Sequence, residues 1–127
     1  MRQLDYKQLK VWQKAMELAE NIYNIVRLLP KEEMYALSDQ MRRSVISIPS
    51  NIAEGRGRNS EKEFMQFLSI ARGSAYELST QLEICHKVGY LNESTIKNSI
   101  ELCEEVGKMI NSLSKKLYDK ITKIASC

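Results

Sequence analysis

A chain of 127 residues with 43% hydrophobic and 28% charged side chains is one domain's worth of sequence, with enough apolar content for a core. Two prolines and five glycines exclude collagen-like and low-complexity chains and argue against an all-β protein with many tight turns. Nineteen Lys plus Arg against sixteen Asp plus Glu leave a net charge of +3, mildly basic and compatible with a nucleic-acid partner. No run of about 18 apolar residues exists to cross a membrane, and the N-terminal stretch lacks the apolar region of a signal peptide. The chain therefore reads as mature and cytoplasmic. Its three cysteines, Cys85, Cys103 and Cys127, fall at no metal-like or redox-like spacing and read as free thiols in a reducing compartment.

In chain order, the first helix is expected over Gln8 to Leu29, stopped by Pro30. Leu9, Trp12, Met16, Ala19, Tyr23 and Val26 form one helical stripe, and Val11, Ala15, Leu18, Ile22, Ile25 and Leu29 form a second. Together they widen the apolar sector beyond one core-facing stripe, which points to a central position or a second molecule. The second helix is expected after Lys31, with Leu37, Met41, Val45, Ile48 and Ile52 toward the core and Pro49 inside it. Either two short helices or one kinked helix would accommodate that proline. The apolar period runs on through it, which favours the kinked helix, with Ser47 and Ser50 resatisfying the freed carbonyls. Gly55-Arg56-Gly57-Arg58 then ends the helix with glycine as a left-handed cap.

Ser60 and Glu63 make a capping box for the third helix, whose stripe runs Phe64, Phe67, Leu68, Ala71, Ala75, Leu78, Leu82 and Cys85 to a stop at Gly89. Asn92 is a good N-cap for the fourth, carried by Ile96, Ile100, Cys103, Val106, Ile110, Leu113 and Leu117. Four such helices with short connections predict an all-α, antiparallel up-down-up-down bundle with a proline-kinked second helix. It is a single domain over 1–127, with a core from roughly 4 to 118 and a tail, 119–127, open to fraying.

Chemistry is sparse. Glu83 and His86 have the E-x-x-H spacing of di-iron bundles, but one histidine in the whole chain cannot complete such a site in one protomer. Cys85, His86 and Cys103 do not converge as zinc ligands, since consecutive helical residues point about 100° apart. No nucleophile–histidine–acid set has an oxyanion loop beside it. Glu17/Glu20 and Glu101/Glu104/Glu105 read as solvated faces, and Gly55-x-Gly57 lacks the strand that precedes a nucleotide loop. The expectation is a non-enzymatic protein with no cofactor and no metal.

The basic segment is more informative. Arg56, Arg58 and Lys62 surround an exposed, mobile hairpin tip at the start of the third helix, and arginine forks beside free N–H groups suit phosphate. Lys115, Lys116, Lys120 and Lys123 form a second basic run. Arg42, Arg43, Asn51, Glu54, Arg72 and Glu77 lie close to the apolar stripes. Folding the hairpin brings Arg42 or Arg43 near Glu77 as a buried, register-fixing ion pair, with Asn51 and Glu54 beside Met65 and Lys62.

The run from Gln40 through Ser47-Ile-Pro-Ser-Asn-Ile-Ala-Glu-Gly55, then Gly57-Arg-Asn-Ser60, Glu63-Phe64 and Phe67-Leu68, resembles the signature of the four-helix bundle proteins encoded in intervening sequences of large-subunit ribosomal RNA. Leu9-Lys-Val-Trp-Gln13, Ala71-Arg-Gly-Ser-Ala-Tyr-Glu-Leu78 and Gly89-Tyr-Leu91 extend the resemblance, while Ser44 and Val45 stand where the family often has alanine. The resemblance implies a kinked second helix, a pentameric ring or barrel, and no enzymatic activity. Relatives that accompany diversity-generating retroelements bind nucleic acid and a reverse transcriptase through a basic surface, which makes Arg56, Arg58 and Arg72 the matching candidates. The expected function is an oligomeric scaffold contacting RNA or DNA backbone; the alternative is a module whose partner is another protein.

Overall fold

The computed structural model describes residues 5–126. A 3₁₀ turn at Asp5–Gln8 leads into α1 (Lys10–Val26), and a second at Lys31–Glu33 separates α1 from α2 (Leu37–Arg56). Then come α3 (Glu61–Lys87) and α4 (Glu93–Ser126). α1 packs on α2 and α4, and α3 packs on α2 and α4. With short connections, this is the all-α up-down-up-down bundle that the periodicities predict.

α1 is shorter at both ends than Gln8 to Leu29. Pro30 disfavours the helical region for Leu29, so the chain leaves through a tightened turn, the Leu28 N–H on the Ile25 carbonyl at 2.9 Å and the Leu29 N–H on that of Val26 at 3.2 Å. α2 starts later than expected, after the 3₁₀ turn at Lys31–Glu33, and Ala36 at its N-cap has no hydrogen-bonding side-chain group to offer. Glu33 stands in for it: its carboxylate accepts the Leu37 N–H at 3.4 Å and the Tyr90 hydroxyl at 2.8 Å. One side chain thus ties the start of α2 to the α3–α4 turn, and the hydrogen bond to Glu33 holds the Tyr90 phenol above its usual pKa.

α2 continues as one helix through Pro49, which is buried. Ser47 and Ser50 do not take the role expected of them. Ser47 Oγ accepts from Asn51 Nδ2 at 2.9 Å and lies 2.8 Å from Ser74 Oγ of α3, while Ser50 is exposed. Nor is α2 closed by a left-handed glycine. Gly57 sits at φ −81°, and the one positive φ among the described residues is that of Gly89, at 86°. What makes Gly55 necessary is space: a Cβ there would lie 2.6 Å from the Phe67 Cβ, so α3 approaches the end of α2 more closely than any side chain permits.

The other helix ends follow their local chemistry. Ser60 Oγ accepts the Glu63 N–H at 3.1 Å at the start of α3. α3 closes with the Tyr90 N–H on the Cys85 carbonyl at 2.9 Å and the Gly89 N–H on that of His86 at 3.1 Å, the paired bonds of a Schellman motif. Asn92 Oδ1 accepts the Thr95 N–H at 2.8 Å and opens α4, which stays helical past Tyr118. Lys120 of α4 reaches Glu61 at 3.6 Å, so that part of α4 is level with the start of α3. The core is built from Leu18, Ile22, Met41, Ile48, Ile52, Leu68, Leu78, Leu82 and Ile110, all fully buried. Cys85 and Cys103 are free and buried in it. Burial pushes their thiols up to about 11 and about 12, leaving them protonated and inert at neutral pH. Cys127 lies outside the described residues.

Candidate functional site

The arginines of the α2–α3 tip are held, not mobile as the sequence suggests. Arg56 Nη2 meets Asp5 Oδ2 at 2.9 Å, both side chains are about three-quarters buried, and the guanidinium lies 5.9 Å from the centre of the Phe64 ring. Arg58 Nη2 meets Glu54 Oε2 at 2.8 Å, with its guanidinium 4.8 Å from the centre of the Phe67 ring. Each thus has a carboxylate and an aromatic face within its own chain. Lys62, in the first turn of α3, is exposed. Arg72 is on the side of α3 toward α4, where Nη1 donates to Asn111 Oδ1 at 2.8 Å. Of the four candidates, Arg56, Arg58 and Lys62 are at the α2–α3 tip and Arg72 is turned toward α4.

The polar residues near the core also rearrange. Arg43 is largely exposed and pairs with Asp39 at 3.1 Å, one turn back on its own helix. Glu77 is exposed, so the buried Arg43–Glu77 pair does not form, although both line one shallow cleft with Ser44, Ser47 and Ser74. A local partner at i, i+4 is reached without desolvating either charge, and here it wins. Arg42 Nη2 donates to the Met34 carbonyl at 3.4 Å. Asn51 Nδ2 donates to the Ser47 carbonyl at 2.8 Å, and Glu54 is taken by Arg58.

Glu83 and His86 are exposed and border a groove with Ile96 and Ile100. Among the described residues no three His, Cys, Asp or Glu side chains are grouped to hold a metal ion. No helix among them is long and apolar enough to cross a membrane.

Two surfaces remain, on opposite flanks of α1. One faces α2: Tyr6 stacks edge-on against Trp12 at 5.3 Å, and Asp5 reaches Arg56 at the end of α2. Trp12, Met16, Ala19 and Tyr23 follow one another on this flank at steps of three and four. Trp12 and Ala19 are half-buried, but Met16 stays 42% and Tyr23 39% exposed, and Ile46 of α2 stays 47% exposed. The wide apolar sector of α1 is thus only partly covered within the protomer.

The other flank faces α4, as the Lys14–Glu105 contact at 3.8 Å shows. Near the start of α1 this seam opens into a groove of about 370 Å³, walled by Lys10, Lys108 and Lys116 around Leu9, Val11, Met109 and Leu113. Sequence reading missed it because α1 and α4 are far apart in the chain. The available signal was along α4: Glu93, Glu101, Glu104 and Glu105 precede Lys108, while Lys115, Lys116, Lys120 and Lys123 follow it.

No curated protein matches the chain. Among solved structures, it is similar to a protein of unknown function from the S23 ribosomal protein family of Bacteroides thetaiotaomicron. The two are 28% identical with a TM-score of 0.77, over 83% of this chain and 98% of that one. Residues 7–112 match the profile of the 23S rRNA-intervening sequence proteins. With the bundle and its proline-bearing second helix in place, the chain belongs to the 23S rRNA-intervening sequence protein family.

Proposed function

We propose that this protein is a non-enzymatic helical scaffold that assembles with copies of itself through the α1–α2 flank. The observation that carries this reading is the line of apolar side chains on α1, Trp12, Met16, Ala19 and Tyr23, left partly open to solvent, with Ile46 of α2 exposed as well. A continuous apolar strip on an otherwise charged helix gains free energy by being covered, at about 25 cal/mol per Å² removed from water. A pentameric ring is the assembly that the family resemblance implies. The free, buried thiols of Cys85 and Cys103 support a reducing, cytoplasmic setting.

The test is a pair of exposed substitutions. Met16→Glu with Tyr23→Glu should release protomers on size exclusion with the helical circular dichroism unchanged. Glu17→Lys, on the opposite flank of α1, should leave the assembly intact. Assembly that survives the first pair would refute the reading.

A second reading has its own observation. The end of the bundle that holds the α2–α3 tip also carries Lys7, Lys62 and the lysine-rich half of α4, so a ring would repeat this positive end on one rim. On this reading the rim contacts RNA or DNA backbone, and a nucleic-acid-bound partner such as a reverse transcriptase would dock there. Its test is binding to mixed RNA and duplex DNA at low and moderate salt, with Lys7→Glu/Lys62→Glu as the variant. Binding that neither weakens with salt nor responds to these changes would remove it.

A further inference from the structure

We propose that the groove between the start of α1 and the middle of α4, from Lys108 to Lys116, docks an acidic amphipathic segment of a partner protein, because three unpaired lysines ring an apolar floor there. This goes beyond self-assembly, since it uses the other flank of α1. Lys10, Lys108 and Lys116 are exposed, and no acidic residue lines the groove. None of the three has an ion pair among the described residues.

The contrast along the same seam is informative. One turn further on, Lys14 is neutralised twice, by Glu17 at 3.7 Å and Glu105 at 3.8 Å. The seam is open at both places. The carboxylates of Glu17 and Glu105 line only the Lys14 part, which Lys10 and Met109 border as well, while none lines the part with Lys108 and Lys116. The helix dipole does not account for all of the uncompensated charge, because a dipole favours cations in the last turn, and Lys108 stands several turns before the end of α4.

The floor decides the class of ligand. Val11 is buried, and Leu9, Met109 and Leu113 are half-buried against the core with the rest of their surface turned to the groove. A nucleic-acid backbone would satisfy the lysines and leave this floor wet. Its bases gain most by stacking on aromatic rings, and none lines the groove. A helical segment with apolar anchors at i, i+3, i+4 and flanking Asp or Glu satisfies both parts at once: the anchors cover the floor while the carboxylates reach the rim. A volume of about 370 Å³ admits a short row of such anchors, not a whole domain face.

The experiment uses the full chain and a fluorescein-labelled helical peptide with leucines at i, i+3, i+4 and i+7 flanked by glutamates. A scrambled peptide of the same composition and a lysine-for-glutamate counterpart accompany it, and binding is read by anisotropy. The ordered acidic peptide should bind at least about tenfold more tightly than its scramble. Lys10→Glu/Lys108→Glu/Lys116→Glu should weaken that binding by about tenfold or more and create binding of the lysine peptide, with an unchanged thermal melt as the control for folding. Equal binding of ordered and scrambled peptides would overturn the proposal, leaving a charge effect only. So would RNA binding that is lost in the triple variant while peptide binding is absent. A triple variant with a smaller assembly mass would show instead that the groove receives a second copy. Because the α1–α2 substitutions leave the groove intact, failure of self-assembly and failure of peptide docking are separate results.

Discussion

α1 presents two flanks to solvent, and they differ in kind. Toward α2 it offers Trp12, Met16, Ala19 and Tyr23; toward α4 it offers Lys10, Lys14, Glu17 and Asn21. The first lacks charge and is only partly covered. The second is charged, with its charges neutralised at Lys14 and left open at Lys10. A helix of 17 residues in a bundle needs one apolar stripe. This one has more, and the excess lies on a single side. The lesson is that surplus hydrophobicity and surplus charge are read by what they lack as partners, not by how many residues they involve. The α2–α3 tip makes the same point: Arg56 and Arg58 are its most conspicuous cations, yet both already have a carboxylate.

The largest effect is expected where α3 comes closest to the end of α2. Gly55→Ala should cost about 1–3 kcal/mol, read as a lowered denaturation midpoint, because the new Cβ would have to displace Phe67. No loss of stability would mean that α2 and α3 separate there at little cost. Arg56→Ala should cost about 1–2 kcal/mol, a charge-assisted hydrogen bond discounted for partial exposure, since it leaves the carboxylate of Asp5 unpaired. That carboxylate has its other oxygen buried without a partner, so Asp5→Ala/Arg56→Ala together should cost less than the two single changes summed. At the small end, Lys10→Gln, Lys108→Gln and Lys116→Gln should each stay within about 0.5 kcal/mol of the parent. A larger loss for any of them would mean that the lysine is structural, and the groove would lose its claim to free charge.

Much of the fold was legible because it is local. The Ser60 cap, the Asn92 cap and the Gly89 stop each depend on residues within a turn of one another. Pro49 was legible as an interruption tolerated within one helix, because the apolar period continues through it. Contacts between distant segments were not legible. The close approach at Gly55 depends on where Phe67 arrives, and the Asp5–Arg56 pair joins a turn before α1 to the last turn of α2. Arg43 pairs with the nearer Asp39 in place of Glu77, because a partner on its own helix is reached without desolvating either charge. Among the candidate site residues, Arg56 and Arg58 were found by their spacing, but whether they were available depended on carboxylates that only the fold brings to them. The groove combines Lys10 with Lys108 and Lys116, and no local pattern in the chain joins them.

The uncovered flank of α1 is tested most directly by the mass of the unaltered chain in solution. Sedimentation equilibrium at low micromolar concentration should give a single species several times heavier than the 14.7 kDa protomer, with no dissociation in high salt because the contact is apolar. A mass of one protomer across the concentration range would contradict self-assembly through this flank, and the strip of Trp12, Met16, Ala19 and Tyr23 would then need no partner.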